Sequence, residues 1–388
     1  MRGISWAVAA SAAVLAGCSG GAGSSQGGCA GSGCVTVSAL GVGNGHACAL
    51  TNSGTVKCWG GDAVGQLGDG VFVTSSTVGV DVKNVADVTS LAAGYAHACA
   101  LKANGASWCW GLNDEGQLGD GTKTNSADPV FAVTVAGATR LAAGYRHNCA
   151  IAAGHVRCWG YGASGQLGNG SFASSIDEPV TVSSITDATD ISAHAGDFTC
   201  ALVESGRVKC WGFGGTLGNG TTTNSADPVY VQSVEGATAI AAGSGHACAI
   251  VAGGAVKCWG WNVTGQLGNP DVPTGRSSFI ATPVDVTGLT GAISLAAGTN
   301  NTCAILNGGM IQCWGDNSHH QLGPDVAVAM SVAPHAYPGL AGVDEVGIGD
   351  RFVCVRVGGG VKCWGMNVAG ELGDGTTIDR DSPVDVRF

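Results

Sequence analysis

Charged side chains are scarce in this chain: only 12% of its 388 residues are Asp, Glu, Lys or Arg. Cations are the scarcer sign, 17 Lys and Arg against 28 acidic residues, and the formal net charge is −11 at pH 7. Binding a phosphate backbone needs clustered Lys and Arg that displace counterions, so this balance argues against a nucleic-acid partner. Long helical runs are missing as well. With 67 Gly and abundant Val, Thr and Ala, the composition suits many short strands joined by tight turns.

Catalytic and metal signatures are also wanting. Cys-x2-Cys clusters, the usual mark of a zinc site, do not occur. Gly160 to Gly165 matches G-x-G-x-x-G and Gly23 to Gly27 matches G-x-S-x-G, yet neither opens a helix after a strand, so both are coincidences of a Gly-rich chain. His319, His320 and His335 lack zinc-protease spacing. No nucleophile, base and orienting partner can be assembled, so a non-enzyme without cofactor or metal is expected.

Residues 1–17 carry Arg2, an apolar run from Ile4 to Leu15 and then small residues, the layout of an export signal and too short for a spanning helix. Leu15-Ala16-Gly17-Cys18 resembles the lipobox of bacterial lipoproteins. That resemblance implies cleavage before Cys18 and lipidation of it, and Ser19 favours the outer membrane over inner-membrane retention. The protein is thus expected to be exported and lipid-anchored at the outer membrane or cell surface, touching the membrane through its lipid only. Residues 18–34 are mostly Gly, Ser and Ala and read as a flexible tether.

From residue 35 to 388 the chain repeats. Cys-Trp-Gly recurs seven times, with tryptophans Trp59, Trp110, Trp159, Trp211, Trp259, Trp314 and Trp364 spaced 48 to 55 residues apart, the period of propeller blades. Each unit contains a Pro-Val-x-Val strand, a stretch ending near Leu-Ala-Ala-Gly, a His-Ala-Cys-Ala-Leu strand and a Val-Lys-Cys-Trp-Gly strand, with variations between copies. Four short strands make a blade, so the fold expected is an all-β, seven-bladed propeller, and a monomer. Alternation puts Cys48 and Leu50 on one strand face and Ala47 and Ala49 on the other. Because the first repeat starts at Val35 without a Pro-Val-x-Val strand and the chain finishes with Pro383-Val384-Asp385-Val386, the last strand is expected to complete the first blade.

Fourteen of the 17 cysteines fall in pairs nine or ten residues apart across a Gly-containing turn: Cys48 with Cys58, Cys99 with Cys109, Cys149 with Cys158, Cys200 with Cys210, Cys248 with Cys258, Cys303 with Cys313, and Cys354 with Cys363. Adjacent antiparallel strands would bring each pair within bridging range, and an exported chain meets oxidising conditions. Whether Cys29 and Cys34 pair stays open; Cys18 is the odd cysteine, at the lipobox.

These units resemble the repeats of the regulator of chromosome condensation family, whose signature Trp-Gly-x-Asn-x-x-Gly-Gln-Leu-Gly is matched at every position from Trp110 to Gly119 and from Trp259 to Gly268. The resemblance implies a propeller and says much less about activity. Eukaryotic members exchange nucleotide on a small GTPase and bind chromatin, both intracellular tasks; secreted bacterial members include an inhibitor that covers β-lactamases with one loop face. The lipobox and paired cysteines point to the exported kind, which leaves no place for nucleotide exchange. Blade four departs from the pattern at Trp211-Gly212-Phe213-Gly214-Gly215-Thr216-Leu217, two residues short and without Gln, and blade six has His320 before Gln321 in place of Gly.

Two sets of repeated polar residues invite ligands and are better explained by structure. His46, His97, His147 and His246 stand two before the first Cys of their blades, where a ring of imidazoles would be one route to a metal-dependent enzyme; the resemblance implies a structural role. Asp69, Asp120, Asn169, Asn219 and Asp374 precede Gly and suggest either calcium or tight turns, and one carboxylate per copy favours turns. Variation inside the constant frame is the positive signal. One variable slot precedes the His-Ala-Cys strand and holds Tyr95, Tyr145 with Arg146, Asp197 and Arg351; another lies two after each Trp and holds Phe213 and Trp261. Aromatics and Arg dominate binding hot spots, so these seven residues are the candidate contacts for a protein or glycan partner, with enzyme inhibition as the alternative.

Overall fold

The computed structural model describes residues 35–132 and 135–388. The signal, the tether, Cys18 and the Cys29–Cys34 question therefore lie outside the described residues. In blade one, Val37–Val42 (β1), His46–Thr51 (β2), Val56–Gly61 (β3) and Ser75–Asp81 (β4) form an antiparallel sheet in that order. Six more four-stranded sheets follow at residues 88–131, 138–181, 188–230, 239–285, 292–336 and 343–385. First strands of neighbouring blades contact one another all the way round, including blade seven against blade one, so they line the axis and the fourth strands form the outer edge. The seven-bladed β-propeller is established.

Closure differs from the expectation. Arg380–Asp385 is the outer strand of blade seven, pairing Cys363 with Val384, and blade one has an outer strand of its own, pairing Cys58 with Val80. That strand, Ser75-Ser76-Thr77-Val78-Gly79-Val80-Asp81, contains no proline, and the Pro-Val-x-Val pattern hid it. Proline is tolerated on an edge strand because the outward N–H is unpaired there, but nothing requires it. Every blade is thus contiguous in sequence. The C-terminal tail still touches blade one: Gly79 N–H donates to the Arg387 carbonyl at 2.8 Å, and the Phe388 ring meets Trp59 edge-on at 5.8 Å.

Packing follows the alternation. Ala47, Ala49 and Trp59 face blade seven, in one cluster with Phe352, Cys354, Cys363 and Leu372, whereas Cys48, Leu50 and Cys58 face blade two and Trp110. All seven repeat tryptophans are fully buried. An indole hides roughly 150–250 Å², so each contributes about 4–6 kcal/mol of apolar transfer free energy. Each indole N–H also donates to a main-chain carbonyl of the preceding blade: Trp110 to Gln66, Trp159 to Gln117, Trp211 to Gln166, Trp259 to Thr216, Trp314 to Gln266, Trp364 to Gln321 and Trp59 to Glu371, at 2.9 to 3.1 Å. The seven cysteine pairs are directly opposed between the second and third strands and bonded, with Cα–Cα distances of 4.0 to 4.1 Å.

Candidate binding face

In an antiparallel blade, the loop joining strands one and two and the loop joining strands three and four emerge on the same face of the ring. A repeated hydrogen bond ties the two loops together. Gly61 N–H donates to Gly45, Leu112 to Ala96, Tyr161 to Arg146, Phe213 to Asp197, Trp261 to Gly245, Asp316 to Asn300 and Met366 to Arg351, all at 2.8 to 3.0 Å. The two variable slots of every blade are therefore neighbours on a rigid rim.

The candidate residues sort into three groups on this face. Tyr95 and Tyr145, from blades two and three, lie with ring centroids 4.4 Å apart, and the Arg146 guanidinium sits 5.1 Å from the Tyr145 centroid. Arg146 pairs with Asp114 of the blade-two loop at 3.2 Å. Asp197 accepts from Gln166 Nε2 at 3.1 Å; burial raises its carboxyl, and Arg146 and the Gln166 bond pull it back. Phe213 and Trp261 form the second group, with centroids 6.4 Å apart and edge to face. Phe279 completes it, 5.3 Å from Trp261, and leans on Gly215, where a Cβ would come within 2.5 Å of the ring. The shortened blade-four loop, a 3-10 turn at Gly214–Thr216, makes room for that ring. Arg351 stands apart with His319 and Asp379: its Nη1 is 3.4 Å from His319 Nε2, and His319 Nδ1 is 2.8 Å from Asp379 Oδ2.

Sequence reasoning did not single out Asp114, Phe279 or Asp379: Asp114 and Asp379 sit in connections whose length varies between repeats, and Phe279 opens the outer strand that follows such a connection. It also passed over exposed apolar residues in this loop or at the strand start that follows it: Phe72 of blade one, Phe172 of blade three, Met330 of blade six and Ile378 of blade seven, the last 60% exposed. Together with half-exposed Tyr95, Phe213, Trp261 and Phe279, they give every blade at least one accessible apolar side chain on this rim.

His46, His97, His147 and His246 are fully buried between blades. His97 Nε2 donates to Asn148 Oδ1 at 3.2 Å, His147 to Thr199 Oγ1 and His246 to Thr302 Oγ1, both at 2.8 Å, each partner belonging to the next blade. Thr302 in turn donates to the Gln266 carbonyl at 2.9 Å. His97, His147 and His246 thus clasp blade to blade and help hold the ring together. His46 faces Ala98 at the equivalent position, and neither of its nitrogens has a partner. Desolvation holds His46, His147 and His246 down to about 3, and His97 to about 4.

Fold and rim together define a disulfide-stapled repeat propeller that presents variable loops from one face. Comparison with known families gives the class a name: models of the "Regulator of chromosome condensation (RCC1) repeat" match residues 37–66, 88–117, 237–266 and 292–321, and also 104–151, 153–203, 205–250 and 254–305. The chain belongs to this family.

Among curated relatives, the Arabidopsis thaliana RCC1 domain-containing protein RUG3, mitochondrial, is 28% identical over 74% of this chain and 56% of its own length. The Ultraviolet-B receptor UVR8 of the same plant is 28% identical over 78% of this chain and 70% of its own. The human E3 ubiquitin-protein ligase HERC2 is also 28% identical, but the chain spans only 6% of it. Human WBSCR16 superimposes with a TM-score of 0.76 at 19% identity, covering 86% of this chain and 94% of that one. Yeast RCC1 (Prp20) bound to Kap60 gives 0.75 at 19% identity, covering 91% and 85%. At such identities the likeness is one of fold.

Proposed function

We propose that this protein is a non-enzymatic binding scaffold of the cell envelope, exported and held by a lipid on Cys18, that presents the loop rim of its propeller to a protein partner. The observation behind this reading is the concentration of half-exposed aromatic and Arg side chains, Tyr95, Tyr145, Arg146, Phe213, Trp261 and Arg351, on one face of a rigid, cross-linked ring. Large aromatics and Arg in shallow, well-supported positions are the residues that dominate protein–protein affinity. Proteins of the same fold agree in kind: yeast RCC1 (Prp20) is found bound to Kap60, and Prp20p of Saccharomyces cerevisiae has binding properties to Gsp1p and histones. The lipobox and the paired cysteines support export.

The test is capture from envelope extract by the oxidised propeller, beside a variant in which Tyr95, Tyr145, Phe213 and Trp261 are all Ala. A saturable protein partner retained by the first and lost by the folded second supports the rim. Capture of a glycan instead, or equal capture by both, overturns this assignment. If the partner is an enzyme, its turnover with and without the propeller separates inhibition from adhesion. Globomycin-sensitive processing, or labelling of Cys18 by a palmitate analogue, tests the anchor.

A further inference from the structure

In blades two and seven the loop after the third strand is organised by one asparagine. Asn113 Oδ1 accepts the Leu118 amide at 2.9 Å, while its Nδ2 donates to Asp120 Oδ1 at 3.0 Å and to the Thr122 and Thr124 carbonyls at 3.1 Å. Asn367 repeats this with Leu372, Asp374, Thr376 and Ile378. Blade one has the same spacing and a different residue. Asp62 stands at the asparagine position, Asp69 at that of Asp120, and Val71 and Val73 at those of Thr122 and Thr124. Asp62 Oδ1 keeps its role, accepting the Leu67 amide at 2.9 Å, and Asp69 Oδ1 accepts the Val71 amide at 3.2 Å as in the other turns. Asp62 is fully buried and its Oδ2, where the other blades place an NH2 donor, makes no hydrogen bond; burial raises the carboxyl to about 6, with the Leu67 and Val73 amides pulling it back.

An acceptor has thus replaced a donor at a position whose neighbours elsewhere in the ring are acceptors. A buried carboxylate oxygen without a partner is strongly unfavourable unless a proton or a positive charge meets it. Among the described residues no Lys or Arg nitrogen lies within ion-pair distance of Asp62 or Asp69, whereas in blade seven Arg380 pairs with Asp374 at 2.8 Å. Blade one alone has carboxylates at both positions, since blade five has Asn262 with Asn269 and blade three Gly162 with Asn169.

We propose that the blade-one loop binds a hard divalent cation of the calcium class between the carboxylates of Asp62 and Asp69. Carboxylate oxygens from a short loop suit the flexible coordination of Ca2+ better than the strict octahedron of Mg2+. This site goes beyond the rim-binding role and stands independently of it.

The experiment uses the oxidised full-length protein stripped with chelator and titrated with CaCl2 alone, followed by calorimetry and by the thermal midpoint. One site with a Kd on the order of 0.1–1 mM, the range of extracellular calcium modules, and a saturable rise in midpoint are expected. Asp62→Asn, which restores the pattern of blades two and seven, should fold normally and lose both responses. Asp69→Asn should lose the binding heat as well, and supplies the comparison should the first variant fail to fold. If the wild type shows no response while Asp62→Asn is simply more stable, Asp62 carries a proton and the proposal falls. An undiminished Ca2+ response in both variants places the ion elsewhere and overturns it too.

Discussion

The indole N–H of Trp59, in the first blade, donates to the carbonyl of Glu371, in the seventh, at 2.9 Å. The same bond links every other adjacent pair of blades, so the junction between the chain ends is built like the other six interfaces and needs no exchanged strand. A circular permutant with residue 388 joined to residue 35 through a short linker, and new ends opened between residues 83 and 87, should therefore keep its circular dichroism spectrum and melt within a few degrees of the parent. Collapse of the permutant would show that the native ends hold the ring in some other way.

Trp59→Phe keeps most of the apolar burial and leaves the Glu371 carbonyl unsatisfied. The cost should be about 1–3 kcal/mol, close to that of Trp110→Phe, which breaks the bond to Gln66. Paired denaturant titrations of the two variants provide the comparison.

The four buried repeat histidines set an acid limit. Their folded-state values, about 3 to 4, lie below the 6.5 of an exposed imidazole, so on acidification the unfolded chain takes up protons that the folded one cannot. Their stabilisation is complete above about pH 6.5 and is lost progressively as pH falls towards 3. Buried carboxyls held upward, Asp197, Glu345 and Glu371, act in the opposite sense and lose stability as pH rises through their range. A thermal midpoint that drops between pH 7 and pH 4 is expected, and a flat profile would contradict the burial of the imidazoles.

Ala98→Thr should give His46 the partner that Thr302 gives His246. The added hydroxyl stands at the position from which Thr302 reaches the Gln266 carbonyl, and a gain of about 0.5–1.5 kcal/mol is expected. His147→Phe should lose a similar amount by stranding Thr199, whereas His46→Phe, mimicking Phe198 and Phe352 of blades four and seven, should be tolerated and should soften the acid transition. Denaturation of the three variants at pH 7 and pH 5 separates these outcomes.

Replacing both Cys48 and Cys58 by Ala removes one cross-link from a loop of about ten residues. In the chain-entropy model that costs about 2–3 kcal/mol. Because the other six bridges lie in other blades, the loss should appear as faster amide exchange in blade one, with little change in blade four.

Fold was legible in the sequence because its determinants are short and repeated. Trp and Cys recur at a blade period, and the His-Ala-Cys strand alternates in register with its neighbour, so strand order, disulfides and the packing faces followed directly. Where each blade begins did not follow, because the edge strand of blade one lacks the proline that marks most of the others and edge positions constrain sequence weakly. The rim was half legible. Tyr95, Tyr145, Phe213 and Trp261 stand out as large residues in slots that vary, but Phe279 faces Trp261 as its partner across the third and fourth strands of blade five, and its ring lies against Gly215 of the shortened blade-four loop, a contact across a blade boundary. Asp62 carries no signal of its own in the sequence, and its significance rests on the asparagine geometry of blades two and seven.

Among the described residues, every covalent cross-link joins two strands of the same blade, and none joins one blade to the next. Under tension applied between residues 35 and 388 the ring should rupture first between blades one and seven, where the load meets only side-chain packing and a few hydrogen bonds. Each blade would then pay out its connecting loops while its central hairpin stayed locked, so that a stretched molecule resembles beads on a string and can recoil from seven intact nuclei once the load is released.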